Sequence, residues 1–337
     1  MNKRIFFSLL LLAAICLGAV NSFSEVVIDN ITRPLKSEGP TKVEAEIFVI
    51  DLDNVDTVNQ NFDANVFYRL TWHDPRFAGL DSEKIRIPLN QVWHPHAQLL
   101  NQQRVWKTFE DLVDVYPSGK MVYEQRVWGS FSQPLELKEF PFDKQTFNII
   151  LVATGYNENE VNFVALENGA SGITTQFSVA DWNILSWKVG PHDLSSLMGR
   201  AVQIASYSLS IEAARKYNYY VIQMMLPLIF IVFMSWMVFW IDPQQTGTQI
   251  TVAITAMLTL IAFRFTAGIT LPRFGYLTKL DYFILAATVQ VFAALTEVIA
   301  SSWFARNQKL DLARRLDRWS RWIFPVSFII LTWVTLR

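Results

Sequence analysis

Between Gly247 and Ile269 the chain is long and apolar enough to cross a bilayer, since about 20 residues rising 1.5 Å each span the hydrocarbon core. Yet Thr248, Thr251, Thr255, Thr259 and Thr266 interrupt the run. On a helix, Gly247, Thr251, Thr255, Leu258, Ala262 and Phe265 fall on one line, at steps of three and four residues. Half of the line is small and hydroxyl-bearing, and the other half is apolar. Hydroxyl oxygens can replace an ion's water shell, and a ring of apolar side chains can shut a channel by expelling water. Threonine in a membrane helix also bonds back to its own backbone or joins neighbouring helices. The ordering, polar at one end and apolar at the other, favours the lining of a pore. One such helix encloses nothing, so a pore requires a ring of copies.

Other elements must hold that helix in place. Uncharged or nearly uncharged runs at 219–240, 247–269, 281–304 and 319–336 give four membrane spans, with Pro227 and Pro325 inside two of them. The connection from Ala305 to Arg318 carries Arg306, Lys309, Arg314, Arg315 and Arg318, an excess of positive charge that belongs on the cytoplasmic side. At the N-terminus, Lys3 and Arg4 precede an apolar stretch from Ile5 to Leu17 and small residues at Ala19, Ser22 and Ser24, which reads as a signal peptide over 1–24. The single cysteine, Cys16, lies inside it, so no disulfide is expected in the exported part. Signal peptide, basic inner connection and an even number of spans agree on a membrane protein whose N-terminal domain is exported.

Residues 25–216 hold no span. Apolar residues alternate at Val43, Ala45, Ile47 and Val49, at Val66, Tyr68, Leu70 and Trp72, at Phe147, Ile149, Leu151 and Ala153, and at Ala205, Tyr207, Leu209 and Ile211. Turn signals stand at Asp74-Pro75, Pro117-Ser118-Gly119, Asn168-Gly169 and Gly190-Pro191. The pattern predicts an all-β, immunoglobulin-like sandwich, followed from 217 to 337 by a four-helix transmembrane domain. A net charge of −1 argues against nucleic acid as a partner. Neither a Gly-rich phosphate loop nor metal-ligand spacing is present, and no cysteine nucleophile follows the leader, so no enzyme activity and no cofactor are expected.

Phe140-Pro141-Phe142-Asp143, followed by Gln145, resembles the signature loop of the pentameric ligand-gated ion channels, the Cys-loop receptor superfamily. Gln133 and Phe147 stand where animal members carry the bridging cysteines, as in the prokaryotic branch. Trp93-His94-Pro95 is similar to the family's Trp-x-Pro loop. Arg215-Lys216, Tyr219-Tyr220 and Pro227 resemble its junction into the first membrane helix, and Leu271-Pro272 its loop after the second. The resemblance covers nearly the whole chain after the leader. It implies a homopentamer around a pore lined by the second helix, a lipid bilayer as surroundings (a bacterial inner membrane, with the β-domain periplasmic), permeant inorganic ions, and a small-molecule agonist or protons acting on the β-domain. A membrane-anchored binding protein or a transporter without a conducting pore is the alternative. A transporter would show internal repeats.

By that resemblance, Leu258 takes the place of the central gate. Asp143 and Arg215 are expected to meet between the domains with Phe140, Pro141 and Phe142, joined by Asp53 and Asp56 from a β-turn and by Pro272 from the pore-helix loop. Phe67 matches an aromatic of the ligand cage. Tyr156, Trp187 and Tyr207 are further cage candidates, while Asn101, Arg104 and Arg126 would supply polar contacts to an amine, a carboxylate or a proton site. Gly247 stands where cation-selective relatives carry a glutamate, which leaves Asp242 as the nearest charge for a cation-selective inner mouth. As a plain alternative, Asp242 caps a turn. Arg264, one step from the stripe, keeps anion selectivity open. Glu297, in mid-span, is either a titrating site that alters gating or a carboxylate bonded to a neighbouring hydroxyl.

Overall fold

The computed structural model describes residues 30–79, 83–166, 169–192, 194, 204–270 and 275–337. The expected leader, 1–24, and Pro272 lie outside them.

Among the described residues the first part of the chain forms two packed sheets. The strands are β1 (Thr41–Asp56), β2 (Asn61–Ala78), β3 (Ile85–Pro88), β4 (Ala97–Leu99), β5 (Gln102–Lys107), β6 (Leu112–Val115), β7 (Ser118–Ser132), β8 (Lys144–Asn157), β9 (Val161–Ala165), β10 (Gly172–Ile173), β11 (Trp182–Pro191) and β12 (Ile204–Arg215). The larger sheet has the order β10-β1-β2-β7-β6-β3, with β5 on β7 and β9 on β1; the smaller has the order β11-β12-β8-β4. Period-two alternation decides what lies between the sheets. Val43, Ala45, Ile47 and Val49 of β1, Val66, Tyr68, Leu70 and Trp72 of β2, and Ile149, Leu151 and Ala153 of β8 are all buried. Phe62 stacks on Phe131 and tilts against Phe147 from the facing sheet, so aromatic contacts cross the core.

Two turn signals turned out otherwise. Asp74-Pro75 lies within β2, where the pairing with β7 jumps from His73 to Ala78, and the buried Asp74 carboxylate is held by Arg76. A bulge absorbs the proline that a regular ladder could not pair. Gly190-Pro191 closes strand β11, its residues paired with Ser208 and Tyr207.

Four helices among the described residues are long and apolar enough to cross a membrane: α1 (Asn218–Trp240), α2 (Thr246–Thr270), α3 (Lys279–Arg306) and α4 (Leu310–Leu336). In α1 one turn, Val221–Met225, is wound as a π-helix, with the Leu226 N–H donating to Val221 O. Pro227, next along, has no N–H to continue the regular ladder. The helix stops before Asp242-Pro243, because a residue preceding proline is pushed out of helical geometry. A capping box starts α3: Thr278 Oγ1 accepts from the Asp281 N–H at 3.2 Å, and the Asp281 carboxylate accepts from the Thr278 N–H at 2.9 Å. That explains the charge at the edge of this span. The fourth helix begins at Leu310 rather than near 319, so the 14-residue basic connection reduces to Asn307–Lys309 between helices. Arg314, Arg315 and Arg318 ride on the first turns of α4, whose other face carries Ala313, Asp317 and Ser320 inward, while Arg306 ends α3.

Candidate pore, coupling junction and ligand face

Helix α2 packs on its neighbours through Gln249, Ala253, Ala256, Leu260 and Ala267, all buried at steps of three, four and seven. That leaves the opposite face free. Gly247, Thr251, Thr255, Leu258, Ala262 and Phe265 are all exposed in the protomer, with Leu258 at 61% and Phe265 at 74%. The line drawn on the sequence therefore lies within the face the bundle leaves uncovered, which also carries Thr248, Ile254, Thr259, Ile261 and Arg264. The threonine hydroxyls donate back along the helix: Thr251 to Gly247 O at 2.8 Å, Thr255 to Thr251 O at 2.7 Å, Thr259 to Thr255 O at 2.8 Å and Thr266 to Ala262 O at 3.2 Å. The back-bonding reading is thus correct for the protons. It also leaves the oxygen lone pairs directed away from the backbone, as acceptors.

At the other end of the bundle the domains meet. The Asp143 carboxylate takes Arg215 Nε at 2.7 Å and a second guanidinium nitrogen at 3.1 Å, with both side chains buried. Gln145 Nε2 donates to the same carboxylate at 2.9 Å. The guanidinium lies over the rings of Trp182 at 4.3 Å and Phe140 at 5.0 Å. Such a two-pronged pair between aromatic faces fixes angle as well as distance. Phe140 packs edge-on against Tyr220 and Phe142 against Tyr217, so the loop between β7 and β8 grips the start of α1. The same loop holds α3. Lys279 and Leu280 donate their N–H groups to Lys138 O at 3.0 Å and Phe140 O at 3.2 Å, and Tyr276 Oη accepts from the Leu137 N–H at 3.0 Å. Lys279 also pairs with Glu139.

Family models match on both sides of this junction. Residues 23–191 match the neurotransmitter-gated ion-channel ligand binding domain, and residues 224–311 match the neurotransmitter-gated ion-channel transmembrane region. The chain belongs to this ligand-gated channel family. It is a multi-pass membrane protein, and its two domains are the ligand-binding and the membrane-spanning parts of a channel.

Several residues of this channel stand elsewhere than the sequence suggests. Asp53 and Asp56 do not reach the Asp143–Arg215 pair. Asp53 accepts from Trp128 Nε1 at 2.8 Å across the sheet. Asp56 caps its own turn through the Val58 and Asn59 N–H groups, each at 2.9 Å, and the Asn59 bonds hold its carboxyl below the usual range. Tyr276, Lys279 and Glu139 take the place expected of these acids; nothing in their spacing singled them out.

The ligand candidates fall into separate groups. Phe67 and Arg126 are cross-strand partners on β2 and β7. Phe109 lies edge-on to Phe67 at 6.5 Å, and Arg69 sits over the Phe67 ring at 5.7 Å. Beside them a cavity of about 430 Å³ is lined by Arg86, Phe109, Asp114 and Glu124, among others. Arg126 Nε is bonded to Asn65 at 3.0 Å. Arg104 is exposed on neighbouring β5. Trp187, 43% exposed, stands on the smaller sheet. Tyr207 belongs to the core with 0% exposure, and so is no cage residue: the period-two pattern that makes β12 readable turns this ring inward. Asn101 is occupied by Asn148 O at 2.7 Å and fixes a loop. The Tyr156 hydroxyl accepts from Trp93 Nε1 at 2.9 Å, and its ring packs near His96. A second cavity, about 300 Å³, contains His94 and His96 with their rings 4.1 Å apart. Burial, with His96 adjacent, pushes the His94 imidazole down from 6.5 to about 4.

At the far end of the bundle, Asp242 accepts from the Gln244 N–H at 3.1 Å and lies 3.8 Å from Arg314 of α4. It is a turn aspartate drawn toward the fourth helix. Glu297 accepts from Ser320 of α4 at 3.0 Å, the neighbouring-hydroxyl alternative given above.

Proposed function

We propose that five copies of the chain surround a cation-selective pore lined by Gly247, Thr251, Thr255, Leu258, Ala262 and Phe265, with the β-domain in the periplasm of a bacterial inner membrane. The reading rests most on one observation. The line from Gly247 to Phe265 lies on the face of α2 that the bundle leaves bare, and its Thr251 and Thr255 give their protons to the backbone and turn lone pairs outward. Outward lone pairs suit a cation better than an anion. Asp242 adds less to selectivity than its charge implies, being shared with its turn and with Arg314.

In a ring, the Phe67, Arg104 and Arg126 face of one copy would lie against the Trp187 side of the next, which makes a subunit interface the ligand site. A small ligand, or a pH change, that favours one arrangement of adjoining β-domains shifts the closed–open equilibrium only by its differential affinity for the two states. The loop of Phe140, Pro141, Phe142 and Asp143 transmits that shift, since it touches α1 and α3 together.

The test is current across a bilayer in asymmetric salt, while amines, carboxylates and pH steps are applied to the β-domain side. The reversal potential should follow the cation gradient, and a reversal potential following chloride would overturn the selectivity.

A further inference from the structure

Ser320 satisfies only one oxygen of Glu297, and a second acid stands beside it. The Glu297 carboxyl of α3 is within hydrogen-bonding reach of Asp317 on α4, one turn before Ser320. Two ionised carboxylates in contact repel, and a helix bundle offers little water to screen them.

The donors in reach do not complete the cluster. Asp317 is buried; it accepts from Ser301 Oγ at 2.6 Å and from Gln249 Nε2 at 3.4 Å, and the charge of Arg321 attracts it. Glu297 Oε1 accepts from Ser320 Oγ at 3.0 Å, while the buried Oε2 receives no donor among the described residues. Gln249, on α2 and 1% exposed, brings in a further acceptor. Its Nε2 is spent on Asp317 and on Ile241 O at 3.0 Å, and its buried Oε1 also receives no donor. Two buried acceptors without donors mark the cluster as short of hydrogens.

We infer that Glu297 and Asp317 bind one proton between them, carried by Glu297 and donated to Asp317, and that this proton exchanges with the side of the membrane distal to the β-domain. Asp317 has more donors and the arginine, so it is the ionised partner; Glu297 has the uncovered oxygen. Paired carboxyls that cannot both ionise share a proton in this way. The route in is a pocket of about 250 Å³ at the end of the bundle farthest from the β-domain, lined by Asp317 with Trp240, Asp242, Arg314, Arg318 and Arg321. Arg321 is anchored there by Phe239 O, at 3.0 Å from its Nε, and Asp242 lies 3.8 Å from Arg314. From α1 and α2 the neutral Trp240 and Gln249 face the cluster, and from α3 Ser301 and Glu297.

With its proton the pair ties α3 to α4, and Gln249 ties both to the pore helix. Without it, two adjacent anions push α4 away from α3 at the level where α2 begins. Opening is thereby placed under distal pH, separately from any ligand or pH change at the β-domain. The proton itself depends only on the packing of α2, α3 and α4; its effect on current rests on the proposed pore.

The experiment uses the full chain and has two readouts. Infrared spectra in detergent at neutral pH should show the carbonyl band of a protonated carboxyl, which ionised carboxylates lack. Glu297→Gln should remove that band. Asp317→Asn, whose amide can donate to Glu297, should remove it too, whereas a Glu297 that is protonated by burial alone would keep it. Asp311→Asn, on the exposed first turn of α4, should leave it in place. Elution volume checks assembly, and the parent spectrum decides by itself should a variant fail to fold: no such band overturns the proposal, as does a band that survives Glu297→Gln or Asp317→Asn. The second readout is current across a bilayer on a Leu258→Ser background, with pH stepped on the distal side and fixed on the other. The open fraction should move with distal pH in that background and lose the dependence when Glu297→Gln or Asp317→Asn is added. A dependence equal in all three, or absent from the background, overturns the control of opening. No current from any form would count against the pore and leave the infrared result to decide the proton.

Discussion

Cutting the Asp143–Arg215 pair should separate ligand binding from pore opening. Both side chains are buried, at 1% and 5% exposure, and the pair is two-pronged, with Gln145 completing the carboxylate's bonds. Removing one partner of such a pair strands the other charge, at a cost of about 3–5 kcal/mol. Arg215→Ala leaves Asp143 with Gln145 as its remaining side-chain donor. Asp143→Ala leaves a guanidinium held between Phe140 and Trp182, with the Tyr220 hydroxyl as a neutral polar neighbour in place of the carboxylate. If closed and open states used the pair equally, that cost would fall on folding and assembly, and opening would be untouched. The coupling role requires unequal use. A difference of about 2 kcal/mol between the states is about 30-fold in the opening equilibrium, at 1.36 kcal/mol per tenfold. The assay is a double-mutant cycle on the opening equilibrium, by current recording from Asp143→Asn, Arg215→Gln and the double variant, with surface expression measured in parallel. The single variants should each shift opening strongly, and the double variant by much less than their sum. Additivity within about 0.5 kcal/mol would refute the pair as a coupling element.

Leu258→Ser should favour the open pore and give current without stimulus, with little effect on folding because Leu258 is 61% exposed in the protomer; currents equal to the parent's at every stimulus would move the gate elsewhere. Tyr276→Phe removes the acceptor for the Leu137 N–H, a bond worth about 1 kcal/mol; made in one state alone, it shifts the opening equilibrium about fivefold on removal, while ligand affinity of the closed state stays unchanged. The β-domain should lose stability as pH falls from about 6.5 toward about 4. The unfolded His94 takes up its proton near 6.5, and the folded one only near 4. His94→Gln should flatten thermal unfolding profiles over that window, and an unchanged profile would exclude His94 as the cause. Glu297→Gln replaces the carboxyl that accepts from Ser320 and should move the half-opening stimulus without changing reversal potential, which recordings from the same bilayers will decide.

The sandwich and the exposed line along α2 were legible because each depends on a period. Alternation every two residues places Val43 to Val49 inward, and steps of three and four place Gly247 to Phe265 on one face. The Asp143–Arg215 contact was legible only through resemblance, since 72 residues of chain separate the partners and no local pattern links them. What failed to show was anything decided by a tertiary neighbour. Asp53 turns to Trp128, a choice made by the facing strand. Tyr207 has the right type for a ligand cage but the wrong parity for the surface. The start of α4 was hidden because its first turns are charged on the outward side, and a search for apolar length sees only the stretch after Trp319. Tyr276 and Lys279 carry no periodic signal, and their importance lies in backbone groups offered by another domain.

The most direct measurement of the central claim is accessibility along α2. The chain has one cysteine, Cys16, so single cysteines can be introduced on a Cys16→Ser background. Thr251, Thr255, Leu258, Ala262 and Phe265 would be replaced one at a time, with Ala253, Ala256 and Leu260 as the buried face. A charged thiol reagent should alter current at the first set while the channel is open and leave the second set unchanged. Modification that follows the buried face instead, or that changes no current at any stripe position, would contradict a pore lined by α2.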